Sequence, residues 1–149
     1  MVLKKLACSL ISIFALIIVI PPSHATDGKA QQIAAIKQVI ALYTQGTYEG
    51  DTDKLSQSFH KNTVMNGSLR GKTVLASPQR FIDSMGELKM SQHDTNYQSK
   101  ITHIEVDGNV ASVTLKETGF PNNTGFTNYF HLINDKKGWK IISKAFQSH

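Results

Sequence analysis

Two periodicities divide the chain. Ile33, Ile36, Ile40 and Tyr43 recur on one face, with Val39 beside them. That three-to-four spacing predicts an amphipathic helix, preceded by Asp27-Gly28 and with Gly46 and Gly50 around its end. Asp51 is placed as the N-cap of a second, short helix in which Leu55 and Phe59 stand four apart. A brief extended stretch, Thr63-Val64-Met65, is stopped by Asn66-Gly67. Ser77-Pro78 then opens a third helix that carries Phe81, Ile82 and Met85 and ends at Gly86. Beyond residue 100 the period falls to two. Residues 101–106 and 110–118 read as strands joined by the tight turn Asp107-Gly108-Asn109, and residues 126–133 and 139–146 as two more. Residues 119–125 read as a loop and 134–138 as a turn. Helices first and an antiparallel meander second predict an α+β domain, its helices on one face of a curved sheet.

The strands are apolar on both faces. Phe126, Phe130 and Leu132 share one side, while Tyr129 and Ile133 share the other; Trp139, Ile141 and Ala145 oppose Ile142 and Phe146. A sheet covered on one side alternates more cleanly with polar residues. One face is therefore expected to pack on the helices and the other on a second copy of the chain, as a homodimer.

The front of the chain follows neither pattern. Lys4 and Lys5 precede an apolar run over residues 6–20, which Pro21-Pro22 breaks before Ser23-His24-Ala25. This is the pattern of a secretory signal, with cleavage expected after Ala25. The run is shorter than the ~20 residues a membrane-spanning helix prefers, and a retained anchor is the rival reading. The expectation is thus a signal peptide over 1–25, one domain over 26–149 and a periplasmic or secreted product with no membrane attachment after cleavage. Cys8 is the sole cysteine, so the mature domain has no disulfide available. Cleavage also removes Lys4 and Lys5, lowering the formal charge from +5 to +3, 14 basic residues against 11 acidic ones. That mild and scattered excess does not suggest a nucleic-acid partner.

Several segments resemble a known family. They are Tyr43, Gly50-Asp51-Thr52-Asp53-Lys54-Leu55, Phe59-His60-Lys61-Asn62-Thr63-Val64-Met65, Ile104-Glu105-Val106-Asp107-Gly108-Asn109-Val110-Ala111 and Gly138-Trp139-Lys140-Ile141-Ile142-Ser143-Lys144. Together they resemble the nuclear-transport-factor-two-like (SnoaL-like) superfamily, over nearly all of residues 29–146, and within it the bacterial branch described as putative lumazine-binding. The resemblance implies a cone: about three N-terminal helices packed into a strongly curved antiparallel sheet, a cavity between them, and frequent dimerisation through the sheet's outer face. It does not fix a reaction, because the superfamily holds isomerases, cyclases, dehydratases and binding modules. Alignment with its steroid isomerases through Gly50-Asp51 and Phe59 places Tyr43 on their oxyanion-stabilising tyrosine. Their general-base aspartate falls at Asn66 or Gly67, neither of which has a carboxylate.

Four places could carry chemistry. His60 follows Phe59 where the resemblance sets the cavity wall; it is a general base or ligand contact, or it bonds the last carbonyls of the second helix. His93-Asp94 is a polar pair, or a solvated loop. Glu117 continues the face of Val113 and Leu115; if that face lines the cavity, Glu117 is a buried carboxylate with a raised pKa, and otherwise a solubilising charge. Tyr129 and His131 share a strand face and fit a dimer interface better than a site. No histidine pair or cysteine–histidine cluster has metal-ligand spacing, and no Gly-rich phosphate loop or other cofactor motif is present. The leading expectation is a small-molecule ligand held in the cone by Tyr43, Phe59, His60, Met65, Phe81 and Phe130. The rivals are an isomerase, dehydratase or cyclase using His60 or Glu117 as base with Tyr43 as acid, and a partner-binding domain with a filled cavity.

Overall fold

The computed structural model describes residues 24–149. The apolar run over residues 6–20 and Cys8 lie outside the described residues. Helix α1 spans His24–Glu49, beginning ahead of Asp27-Gly28. Ile36, Ile40, Tyr43 and Thr47 form its buried stripe. Helix α2, Thr52–Ser58, starts where the Asp51 side chain accepts the Lys54 N–H at 2.9 Å. Helix α3, Pro78–Leu88, has Pro78 in its first turn, where a missing N–H costs nothing.

Six strands form one sheet: β1 (Phe59–Leu69), β2 (Lys72–Ala76), β3 (Gln98–Asp107), β4 (Val110–Phe120), β5 (Thr124–Asp135) and β6 (Gly138–Ser148). Their order is β2-β1-β6-β5-β4-β3. Every neighbouring pair is antiparallel except β1 and β6, which run parallel. The expected antiparallel sheet is therefore mixed. The cause is the extended stretch at Thr63–Met65, which is the middle of an 11-residue strand lying along β6 and folding back as β2. Thr63 helps join the two, its hydroxyl donating to the Ile141 carbonyl at 2.6 Å.

The concave face packs on the helices. Ile36 and Ile40 meet Val113, Leu115, Leu132 and Ile141, with Leu55, Ile82 and Trp139 completing the core. Two irregularities then change which residues face inward. Opposite β5, Leu132 pairs with Ile141 but His131 pairs with Ser143, so β6 holds one extra residue at Ile142. Opposite Phe126 and Thr124, β4 holds one extra residue between Glu117 and Phe120. Each β-bulge reverses the in–out phase of the residues beyond it. Along β6, Trp139 and Ile141 face inward, then Lys144 and Phe146, while Ala145 is exposed. The sequence grouping of Ala145 with Trp139 and Ile141 is corrected by that bulge. Along β4, Leu115 and Glu117 face inward, then Phe120, where a loop was expected.

Candidate functional site

At the ends of β4 and β6 beyond the bulges, the interior is hollow. A cavity of about 310 Å³ lies between the sheet, α1, α3 and the β1–β2 hairpin. Its walls are apolar: Met65, Phe81, Met85, Phe120, Phe126 and Phe146. Leu69, Arg80 and Ser84, all exposed, mark its open end. Tyr43, Glu117 and Lys144, all buried, close the other.

These three form one network. The Lys144 ammonium donates to the Tyr43 hydroxyl at 2.7 Å, and that hydroxyl donates to Glu117 Oε2 at 3.3 Å. Asn128 Nδ2 donates to the same carboxylate oxygen at 2.6 Å, and the Tyr97 hydroxyl donates to Oε1. Tyr97 reaches the carboxylate from the segment before β3. Gly119, at φ +81° in the β4 bulge, makes room for that segment: a Cβ there would stand 2.4 Å from the Asn96 carbonyl. Aromatic rings fix the tyrosine from the core side. Tyr43 stacks on Phe81 with centroids 5.7 Å apart, and meets Phe59 and Phe130 edge-on at 6.0 and 5.0 Å.

Burial sets the protonation behaviour. It pushes the Glu117 carboxyl above its usual range, against the lowering influence of Lys144 and then of its three hydrogen-bond donors. It pushes the Lys144 amine down to about 8, with the Glu117 charge opposing. Tyr43 and Tyr97 are pushed up, by burial first and the Glu117 charge second, so both remain protonated donors. Glu117 thus already accepts three hydrogen bonds, and Tyr43 has committed its one proton. Lys144 makes a single hydrogen bond among the described residues. Of the three polar groups at the closed end, it alone has N–H donors left for a guest.

The sequence candidates divide between this cavity and other places. Tyr43, Met65, Phe81 and Glu117 line it. Phe59 and Phe130 are buried behind Tyr43 and do not line it. His60 is elsewhere. Helix α2 passes directly into β1 at Phe59; Phe59 turns inward, and the next residue faces away. His60 accepts the Asn62 N–H at Nδ1, and its Nε2 stands 3.9 Å from Asp135 Oδ2 at the far end of β5. His93 and Asp94 are exposed. Tyr129 and His131 lie exposed on the convex face. Lys144, Tyr97 and Asn128 were not found from the sequence. Asn128 carried a usable signal, since it shares the inward parity of Phe126, Phe130 and Leu132. Lys144 carried none, because strict alternation puts it with Ile142. Gly67 lies tight against β6: a Cβ there would sit 2.3 Å from the Phe146 carbonyl oxygen and 2.5 Å from its ring. No carboxylate fits at that position.

The family model described as putative lumazine-binding matches residues 31–147. The chain belongs to this family. Comparison with curated proteins finds no significant match. Among solved structures, the chain is similar to an NTF2-like protein of unknown function from Methylobacillus flagellatus KT. Identity there is 25% and the TM-score 0.71, covering 80% of this chain and 93% of that one. It is also similar to an NTF-2-like protein of unknown function from Silicibacter pomeroyi DSS-3, at 19% identity and a TM-score of 0.72 over 81% and 98%. A putative ketosteroid isomerase from Shewanella frigidimarina NCIMB 400 is a third, at 17% identity and a TM-score of 0.56 over 76% and 94%. The last two likenesses are to the fold. Membership of the putative lumazine-binding family thus accompanies an NTF2-like cone built on a six-stranded mixed sheet. Among the described residues, no three His, Cys, Asp or Glu side chains are grouped to hold a metal ion, and no helix is long and apolar enough to cross a membrane.

Proposed function

We propose that this protein is an exported, homodimeric binder of a small, largely apolar ligand, held in the cone with an acceptor group on Lys144. The observation that carries this reading is the aromatic-walled cavity of about 310 Å³ ending on a buried lysine with unused donors. Ligand sites have this composition, apolar with a few placed polar groups. The volume is at the small end of the usual range, so the guest is of one or two rings. The guest's carbonyl or carboxylate oxygen would rest on the Lys144 ammonium, with Phe81 and Phe146 among the walls around it. Lumazine, from which the family takes its description, carries ring carbonyls of that kind. Export rests on the apolar run behind Lys4 and Lys5. The dimer rests on the convex face, where Tyr129 and Val110 are each 51% exposed.

Native mass spectrometry of residues 26–149, purified from the host's periplasm, tests all three parts. The expected result is a dimer carrying one small molecule per chain, with the new N-terminus at Thr26. A monomer that holds neither a host molecule nor added lumazine or 2-naphthoate would overturn the reading.

A second reading is supported by the Lys144–Tyr43–Glu117 chain of hydrogen bonds, which is a proton path ending in the cavity. In an isomerase or dehydratase, Glu117 would exchange protons with a substrate, and Tyr43 would polarise it. The putative ketosteroid isomerase neighbour is compatible with that alternative. Exchange of deuterium from solvent into a bound ligand separates the two: a binder leaves the ligand's C–H positions unlabelled.

A further inference from the structure

Lys144 has features that holding an acceptor does not require. A surface-style anchor for a carboxylate would be a fully charged amine with water around it. This amine is 4% exposed, faces an apolar chamber, and has the Phe81 ring centroid 4.2 Å from its nitrogen. Among the described residues, its one polar neighbour within hydrogen-bond reach is the Tyr43 hydroxyl, itself bonded to a carboxylate. The counter-charge is thus kept one hydroxyl away from the amine, and no ion-pair contact blocks its lone pair.

We propose that Lys144 is a nucleophilic amine that forms a Schiff base with an aldehyde or ketone bound in the cavity. The proposal rests on the reading that the cavity takes a small ligand, and it names that ligand's reactive class. The Lys144 nitrogen attacks the carbonyl carbon and a C–N bond forms. The carbonyl oxygen becomes a hydroxyl as it gains one amine proton, routed through Tyr43 and Glu117. The second amine proton is then lost to that hydroxyl, the C–O bond breaks and water leaves, so the imine forms with no net gain or loss of protons. The charged and titratable groups around the amine come from separate elements: Tyr43 from α1, Glu117 from β4 and Arg80 from α3, the last lining the same cavity near its open end. Desolvation favours the neutral amine, the form that attacks, as in other lysine nucleophiles buried in apolar pockets. At pH 7.5 the neutral fraction is on the order of 100-fold greater than for a surface lysine. Allowing for the weaker nucleophilicity of a less basic amine, Lys144 should react about tenfold faster than Lys116 or Lys140.

The test is reductive trapping. The purified protein is incubated with 2-naphthaldehyde and borohydride at pH 7.5, and adducts are located by peptide mass spectrometry. The expected product is one secondary-amine adduct at Lys144, formed about tenfold faster than any at Lys116 or Lys140. Its rate should climb as pH rises toward about 8 and level off above it. The double variant Glu117→Gln/Lys144→Met, which removes both buried charges together, should fold and lose the fast adduct. Labelling of Lys116 and Lys140 with Lys144 unmodified, or modified no faster than they are, overturns the proposal. In parallel, 2-naphthoate has a similar shape without a reactive carbonyl. If the protein retains 2-naphthoate in native mass spectrometry while Lys144 is not trapped, the amine chemistry falls and the binding reading stands. If it retains neither molecule, both fall.

Discussion

The two ends of this domain's interior share the same helix α1 and the same strands, yet they are built to opposite rules. Toward Trp139 and Ile133 the interior is solid. Ile36, Ile40, Leu55, Val113, Leu132 and Ile141 interdigitate with no charged group among them. Toward Phe126 and Phe146 it is hollow, and it contains Glu117, Lys144 and the two tyrosines that tie them into a network. Asn128 Oδ1 is buried there without a partner among the described residues, at a cost of about 1–3 kcal/mol. The two buried ionisable groups, Glu117 and Lys144, linked through the Tyr43 hydroxyl, add a desolvation cost that their mutual attraction does not fully return. One end therefore supplies stability and the other spends it, which is the expected division when a site is carved into a small domain.

Substitutions should expose that division. Leu132→Ala, at a fully buried position of the solid end, should cost about 4 kcal/mol in urea unfolding, with ligand affinity per folded molecule unchanged. Glu117→Ala should cost about 3 kcal/mol, because it leaves Lys144 without its counter-charge, and it should lower the Lys144 pKa further. A Glu117→Ala variant as stable as the parent would show that the hollow end is not strained in this way.

Removing both charges should reverse the sign. Glu117→Gln/Lys144→Met should unfold at equal or higher urea than the parent at pH 7, by about 1–2 kcal/mol, while losing ligand. Its advantage should shrink between about pH 8 and 10.5. In that window the unfolded lysine still holds a proton that folded Lys144 has released, so parental stability rises with pH and the variant's does not share that rise. An advantage that stayed constant across the window would mean Lys144 is not the desolvated amine described above. Phe81→Leu, at a half-buried wall position, should change stability by no more than about 1 kcal/mol while weakening binding about tenfold, read by calorimetry. Smallest of all, His60→Ala should stay within about 0.5 kcal/mol and leave affinity unchanged, because its ring is at the Asp135 end, away from the cavity.

The solid end was legible from the sequence, and the hollow end only in part. Local periodicity suffices where a strand or helix is regular, which is why Ile36, Ile40, Val113, Leu115 and Glu117 could be assigned a face. Glu117 in particular is placed by two-residue alternation along β4, and Tyr43 by helical spacing along α1. The short edge strand β2 and the length of β1 were missed. Their exposed and glycine-broken pattern, including Asn66-Gly67, carries little burial signal, and β1 is held in place by pairing with a strand about 80 residues away. The resemblance set His60 at the cavity wall, but α2 turns directly into β1 at Phe59 and the His60 ring lies toward Asp135 instead.

By itself, the sequence determined an α+β order, the inward stripe of α1, the cap at Asp51 and the run of long strands. These depend on spacing and composition within one element. Only the tertiary structure decided that Lys144 would meet Tyr43 and Glu117. One extra residue at Ile142 reverses the phase of β6, and a second between Glu117 and Phe120 does the same for β4. A bulge is a mismatch between two neighbouring strands, so it belongs to a pair and cannot be read from either strand alone. The closing of the cavity on a lysine, rather than on the alanine next to it, was decided at that level.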